Sequence, residues 1–116
     1  MDKSHSQTLL IPIPAGKTAH FHQIAKEALG KRFEHHHKSR HQQGFTKELA
    51  WVHHTPAGDM LVVYLEGNLE RGFKDIETSL EPHDVWFREN ILAALEVDLS
   101  KGMPPFGEMV WDWQAS

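Results

Sequence analysis

Thr46 to Thr55, TKELAWVHHT, and Met60 to Glu66, MLVVYLE, stand on either side of Pro56-Ala57-Gly58. Both runs are rich in β-branched, aromatic and aliphatic residues, and a short gap holding Pro and Gly between two such runs predicts a β-hairpin. With Thr55 set opposite Asp59, one face carries Leu49, Trp51, His53, Leu61, Val63 and Leu65. The other carries Ala50, Val52, His54, Met60, Val62 and Tyr64. Both faces are mainly apolar. An antiparallel sheet with helices on one side and water on the other should be polar on its wet face. This hairpin therefore predicts cover on both sides.

Outward from the hairpin, the chain supplies that cover on one side only. Thr8 to Pro14, TLLIPIP, reads as a strand, with an irregular end expected near Pro12 because proline cannot donate to the ladder. Lys17 to about Gln43 reads as one long helix carrying Phe21, Ile24, Ala25, Ala28 and Leu29 on a stripe; Gly30 weakens it and Gly44 terminates it. After the hairpin, Asn68 is a natural N-cap for a helix with Leu69, Phe73, Ile76 and Leu80 at helical spacing. Pro82 interrupts it and starts a second piece to about Leu99. Glu108 to Gln114, EMVWDWQ, reads as a last strand. The order β-α-β-β-α-β predicts an α+β, ferredoxin-like sandwich, with a four-stranded antiparallel sheet and helices on one face. Residues 1–7 are expected to form a flexible tail and 8–116 a single domain. A second copy of the chain is the economical cover for the other apolar face, giving a two-fold homodimer.

At 116 residues, with 40% hydrophobic and 24% charged residues, the chain has ordinary globular composition. It contains no cysteine, which excludes a disulfide framework, a thiolate metal site and a cysteine nucleophile. The net charge of -4 is unevenly spread: residues 1–47 hold eight bases against three acids. Those bases are scattered among Glu and His without a helix-turn-helix or an aromatic RNA-binding signature, so no nucleic-acid partner is expected. The polar start lacks a signal-peptide core, and the apolar runs are too short for a bilayer. A cytoplasmic protein without a membrane partner is the expectation.

The run Ile11-Pro12-Ile13-Pro14-Ala15-Gly16-Lys17-Thr18-Ala19-His20-Phe21 resembles the strand, Pro-x-Gly-Lys turn and helix start of the dimeric α/β-barrel superfamily. Val85-Trp86-Phe87-Arg88-Glu89-Asn90-Ile91, with Asp98 and Pro104-Pro105 beyond it, is similar to an uncharacterised branch of that superfamily, which also includes antibiotic-biosynthesis monooxygenases and EthD-like proteins. The resemblance implies a homodimer whose two sheets close a barrel around a small-molecule cavity. No catalytic residue is carried over, because a shared fold does not transfer chemistry.

Ten histidines are the unusual feature of the composition. If the first helix continues unbroken from Phe21, His35 and His36 extend its apolar stripe, while Glu34, His37 and His41 share the opposite face. Glu34, His37 and His41 thus form a candidate site for a divalent metal, or else a solvated polar stripe that takes up metal only adventitiously. On the hairpin, His54 and Tyr64 are expected as the polar tips of the cavity, with His54 as candidate general base. His36, His83 and Trp86 join Tyr64 as candidate ligand-binding residues. No Gly-rich phosphate loop or nucleophile elbow is present. The functional expectation is a small apolar or aromatic ligand and no cofactor. The chemistry is either a cofactor-independent, monooxygenase-like or isomerase-like reaction or none beyond binding. A histidine-based metal or haem protein is the alternative.

Overall fold

A computed structural model describes residues 4–115, leaving aside the side chain of Ser4. Three antiparallel strands, β1 (Ser4–Pro12), β2 (Phe45–Thr55) and β3 (Gly58–Asn68), form a sheet in the order β1-β3-β2. Four helices accompany it: α1 (Thr18–Leu29), α2 (Phe33–Gln42), α3 (Leu69–Thr78) and α4 (Pro82–Phe87), the last continuing through a π-helical turn at Arg88–Leu92. The chain is α+β, as expected. The sheet has three strands and not four, since Glu108–Gln114 forms no strand. Ser4 to Gln7, expected in a tail, extend β1 instead.

The hairpin loop is one residue tighter than the sequence suggests. Thr55 pairs with Gly58, leaving only Pro56 and Ala57 in the turn. The Thr55 hydroxyl donates to the Gly58 carbonyl (2.6 Å) and accepts from the Ala57 N–H (3.2 Å), so a side chain braces the loop. Because side chains alternate across a strand, this single-residue shift exchanges one strand's faces relative to the other. Ala50, Val52 and His54 now share a face with Asp59, Leu61 and Val63, while Leu49, Trp51 and His53 pair with Tyr64, Val62 and Met60.

The first of these faces builds the core. Leu61 and Leu65 of β3 and Leu9 and Ile11 of β1 are buried together with Phe21, Ile24 and Ala28 of α1 and Phe73 and Ile76 of α3. Pro12 ends an edge strand, where its missing donor costs no ladder bond between inner strands. The second face carries no helix. On it Leu10, Leu49 and Trp51 remain 59%, 42% and 50% exposed.

The expected single helix from Lys17 to Gln43 is broken at Gly30, whose backbone leaves helical geometry at φ -102°, ψ -102°. A Cβ at this position would sit 2.7 Å from the Lys26 carbonyl oxygen, so glycine is required for the break. The break re-phases α2 relative to α1. Further on, Asn68 caps α3 by accepting from the Arg71 N–H at 3.2 Å. Arg88 satisfies carbonyls at the far end, donating to Ile76 O (2.8 Å) and Ser79 O (2.6 Å). Asn68→Ala is expected to lower stability by about 1 kcal/mol. The check is a lower denaturant midpoint at unchanged slope.

Candidate functional site

The re-phased α2 does something its composition conceals. His36, Ser39 and Arg40 are buried, and Gln43 just beyond the helix is 2% exposed. Positions 36, 39, 40 and 43 are one helical stripe, so a polar stripe faces inward where an apolar one is the rule. Buried polar groups are stable only when their hydrogen bonds are satisfied, and two other elements supply the partners. Glu48 comes from β2, on the helix side of the sheet. His83 and Asp84 come from the first turn of α4, where Pro82 at the helix start sets the backbone.

The first half of the cluster is a chain of four groups. Arg32 Nη2 lies 3.3 Å from His83 Nδ1, His83 Nε2 lies 3.0 Å from His36 Nδ1, and His36 Nε2 lies 2.8 Å from Glu48 Oε1. Chemistry orients every proton in it. A guanidinium only donates, so His83 Nδ1 accepts and the His83 proton is on Nε2. That N–H donates to His36 Nδ1, which leaves the His36 proton on Nε2, donated to the carboxylate. Both imidazoles are neutral in this arrangement. Burial, together with the nearby His36 and Arg32, holds the His83 imidazole down at about 4, in agreement with that assignment. Partial burial pushes the Glu48 carboxyl up. The Arg40 charge and the His36 hydrogen bond outweigh it and bring the group to about 2.

The second half fixes the geometry of the first. Arg40 Nε donates to Glu48 Oε2 (3.1 Å) and its Nη1 to Gln43 Oε1 (3.0 Å); Gln43 Nε2 then donates to Asp84 Oδ1 (3.3 Å). Asp84 also accepts from the Ser39 hydroxyl and, at 2.5 Å, from the Ser79 hydroxyl. Aromatic rings close the cluster. Arg32 stacks over Trp86 (4.3 Å), Arg40 over Phe87 (4.5 Å), and the His83 ring lies on Trp86 (5.5 Å).

Beside this cluster is a cleft of about 300 Å³ between α1, the π-helical turn and β2. Phe21, Ala25, Ala28, Val52, Phe87 and Ile91 form its apolar wall, and His22, His36 and Glu48 are its polar lining, with the His36–Glu48 pair at the end beside the cluster. The Glu48 side chain is 28% exposed, so one carboxylate of the cluster meets solvent or a ligand. The cleft is apolar with few polar groups, the usual character of a small-molecule site.

Among the residues singled out from sequence, the fold therefore unites His36, His83 and Trp86. Tyr64 is elsewhere, on the helix-free face, where its hydroxyl donates to Glu66 Oε2 at 2.5 Å. His54 is on the opposite face from Tyr64, at the hairpin end, with its side chain 73% exposed. There its Nδ1 is 2.7 Å from Asp59 Oδ1, and the Thr18 hydroxyl donates to Asp59 Oδ2 at 2.5 Å. Those two contacts, that of Thr18 foremost, hold the Asp59 carboxyl below its usual range. The pairing of His54 with Tyr64 rested on the hairpin register, and the tighter loop separates them. Glu34, His37 and His41 are exposed on α2, and among the described residues no group of three His, Asp or Glu side chains converges to hold a metal ion.

Glu48, Arg40, Asp84, Ser39 and Gln43 escaped the sequence reading. For Ser39, Arg40 and Gln43 the one available signal was the i, i+3, i+4, i+7 recurrence of polar residues from His36 to Gln43, which periodicity arguments assign to solvent; Glu48 and Asp84 had none. Comparison with protein-family models, curated proteins and solved structures finds no match to this chain. Among the described residues no helix is long and apolar enough to cross a membrane.

Proposed function

We propose that the chain is a homodimeric binding protein of the dimeric α/β-barrel kind, which takes a small aromatic molecule carrying an O–H or N–H donor into the cleft between α1 and β2. The observation that carries this reading is the cleft itself: an apolar wall of about 300 Å³ ending in the His36–Glu48 pair. A carboxylate held at about 2 stays ionised and acceptor-only at neutral pH. It accepts from a ligand's donor through a lone pair not used by His36 or Arg40. The exposed Leu10, Leu49 and Trp51 on the helix-free face support the second copy.

Binding is favoured over base catalysis by the tautomers. His36 gives its N–H to Glu48 and its lone pair to the His83 N–H, so it has no free nitrogen to act as a base at the buried end of the cleft. The other lining histidine, His22, sits exposed on α1. His54, the other candidate base, is not among the residues lining the cleft.

Calorimetric titration with p-cresol and toluene, which differ by one hydroxyl, tests the reading. A hydrogen bond to a charged acceptor contributes about 1.5–3 kcal/mol, so p-cresol should bind at least tenfold more tightly. Ala25→Phe, which fills the cleft from α1, should abolish binding of both. Glu48→Gln should erase most of the preference for p-cresol. Equal binding of both compounds by the parent, or unchanged binding by Ala25→Phe, defeats the proposal.

A further inference from the structure

After Gly107 the chain becomes an arm that its own fold does not use. Gly107 is the last anchored residue: its N–H donates to the Thr8 carbonyl on the outer edge of β1 (3.1 Å), and the preceding Phe106 ring packs on Phe73 (5.2 Å between centroids). From Glu108 to Ala115 the described residues make no backbone hydrogen bond to the rest of the chain. Yet the arm is not polar. Met109, Val110, Trp111 and Trp113 are 65%, 82%, 85% and 76% exposed. Met109, Trp111 and Trp113 alternate with period two, the pattern of a strand with one apolar face. Glu108 to Trp111 line a shallow groove with Ser6, Thr8 and Tyr64, whose side chains belong to the helix-free face. The arm therefore leaves its own domain on that side of the sheet.

We infer that this arm crosses to a second copy of the chain and lies extended over the helix-free face there, with Trp111 and Trp113 against the partner's Leu49 and Trp51. The inference rests on the dimer proposed above and adds the part of the chain that makes it. Three observations converge on this occupant. Donor and acceptor are on one chain, so a reciprocal exchange about a two-fold axis satisfies both copies and closes the assembly. The reach suffices. Eight extended residues span about 26 Å at about 3.3 Å each, whereas stacked sheets lie about 10 Å apart. The area also suffices. Trp51, Trp111 and Trp113 from each copy make six tryptophans, and at roughly 200 Å² each they come to about 1,200 Å², the lower end for a stable interface.

Light scattering on the full chain between 5 and 100 µM, beside the variant Trp111→Ser/Trp113→Ser, tests this. The parent should be a dimer, and the variant should weaken the dimer at least 100-fold. Its circular dichroism should be unchanged, because both residues are exposed in the single chain. A dimer that survives the double substitution overturns the arm exchange and leaves the proposed dimer standing. A parent that is monomeric throughout overturns both.

The absence of native cysteine makes a second measurement clean. Ala115→Cys and His53→Cys chains, mixed and oxidised, should form a mixed disulfide-linked dimer. Failure to bridge overturns the inference. So does a bridge within one chain when both cysteines are placed on it, since the arm then covers its own sheet.

Discussion

Asp84→Ala is expected to destabilise the protein by about 3–5 kcal/mol, enough to leave a domain of this size largely unfolded near 40 °C. Asp84 is 5% exposed and accepts from Ser39, Ser79 and Gln43, which come from α2, from the segment before α4 and from the end of α2. Removing the carboxyl strands the buried Ser39 and Gln43 donors, each at the cost of an unsatisfied buried group, and leaves the half-buried Ser79 hydroxyl without its partner. The loss propagates. Gln43 is oriented by giving its amide N–H to Asp84 and its oxygen to Arg40, and Arg40 holds Glu48. The measurement is chemical denaturation of Asp84→Ala beside Asp84→Asn. The amide retains one acceptor oxygen and should cost about 1–3 kcal/mol. Equal, small losses in both would mean that Asp84 is a bystander and that the cluster is held by its aromatic shell.

That cluster was half legible in the sequence, and the reasons differ residue by residue. His36 drew notice because it extends the stripe begun by Phe21, although Gly30 breaks the helix and resets the phase on which that placement was based. The inward burial of His36 survives; its reason changes, since it belongs to a polar stripe with Ser39, Arg40 and Gln43. Glu48 carried no signal, because an acidic residue in a strand reads as solvent-facing until its partners are known, and these come from residues 12 and 8 positions earlier in the chain. The hairpin itself was plain from TKELAWVHHT and MLVVYLE, but its register turned on whether the loop holds three residues or two. Thr55 decides this through its hydroxyl, an interaction without a pattern to betray it. One residue of register moved Tyr64 away from His54 and assigned the two sides of the sheet. EMVWDWQ shows strand alternation that the single chain does not realise, because alternation records a face to be buried and says nothing about which chain buries it.

Acid is expected to loosen the fold well above the pH at which carboxylates usually titrate. His83 binds its proton at about 4 in the native state against 6.5 for an ordinary imidazole. Between those values the unfolded chain carries a proton that the native chain does not, so stability rises with pH across the window. The His83 contribution is complete above about pH 7, falls progressively as pH drops toward 4, and is constant below. At about 1.4 kcal/mol per unit, the full loss is up to about 3 kcal/mol. Glu48 acts in a lower window, its stabilisation present above 4.5 and lost as pH falls toward 2. Denaturation midpoints measured from pH 7.5 to 4 should therefore decline in the parent and flatten in His83→Gln, whose amide has no proton to gain and still offers a donor to His36. The native proton chain explains why the group resists charging. With Arg32 donating to Nδ1, a second proton there would set an imidazolium against a guanidinium in a closed site, breaking the bond at 3.3 Å. Arg32→Met removes that opposing charge and should raise the native affinity for the proton, so that the decline still begins near 6.5 but ends at a higher pH and is smaller. If the parent and His83→Gln lose stability in parallel between pH 6.5 and 4, the neutral His83–His36 chain is not the native arrangement.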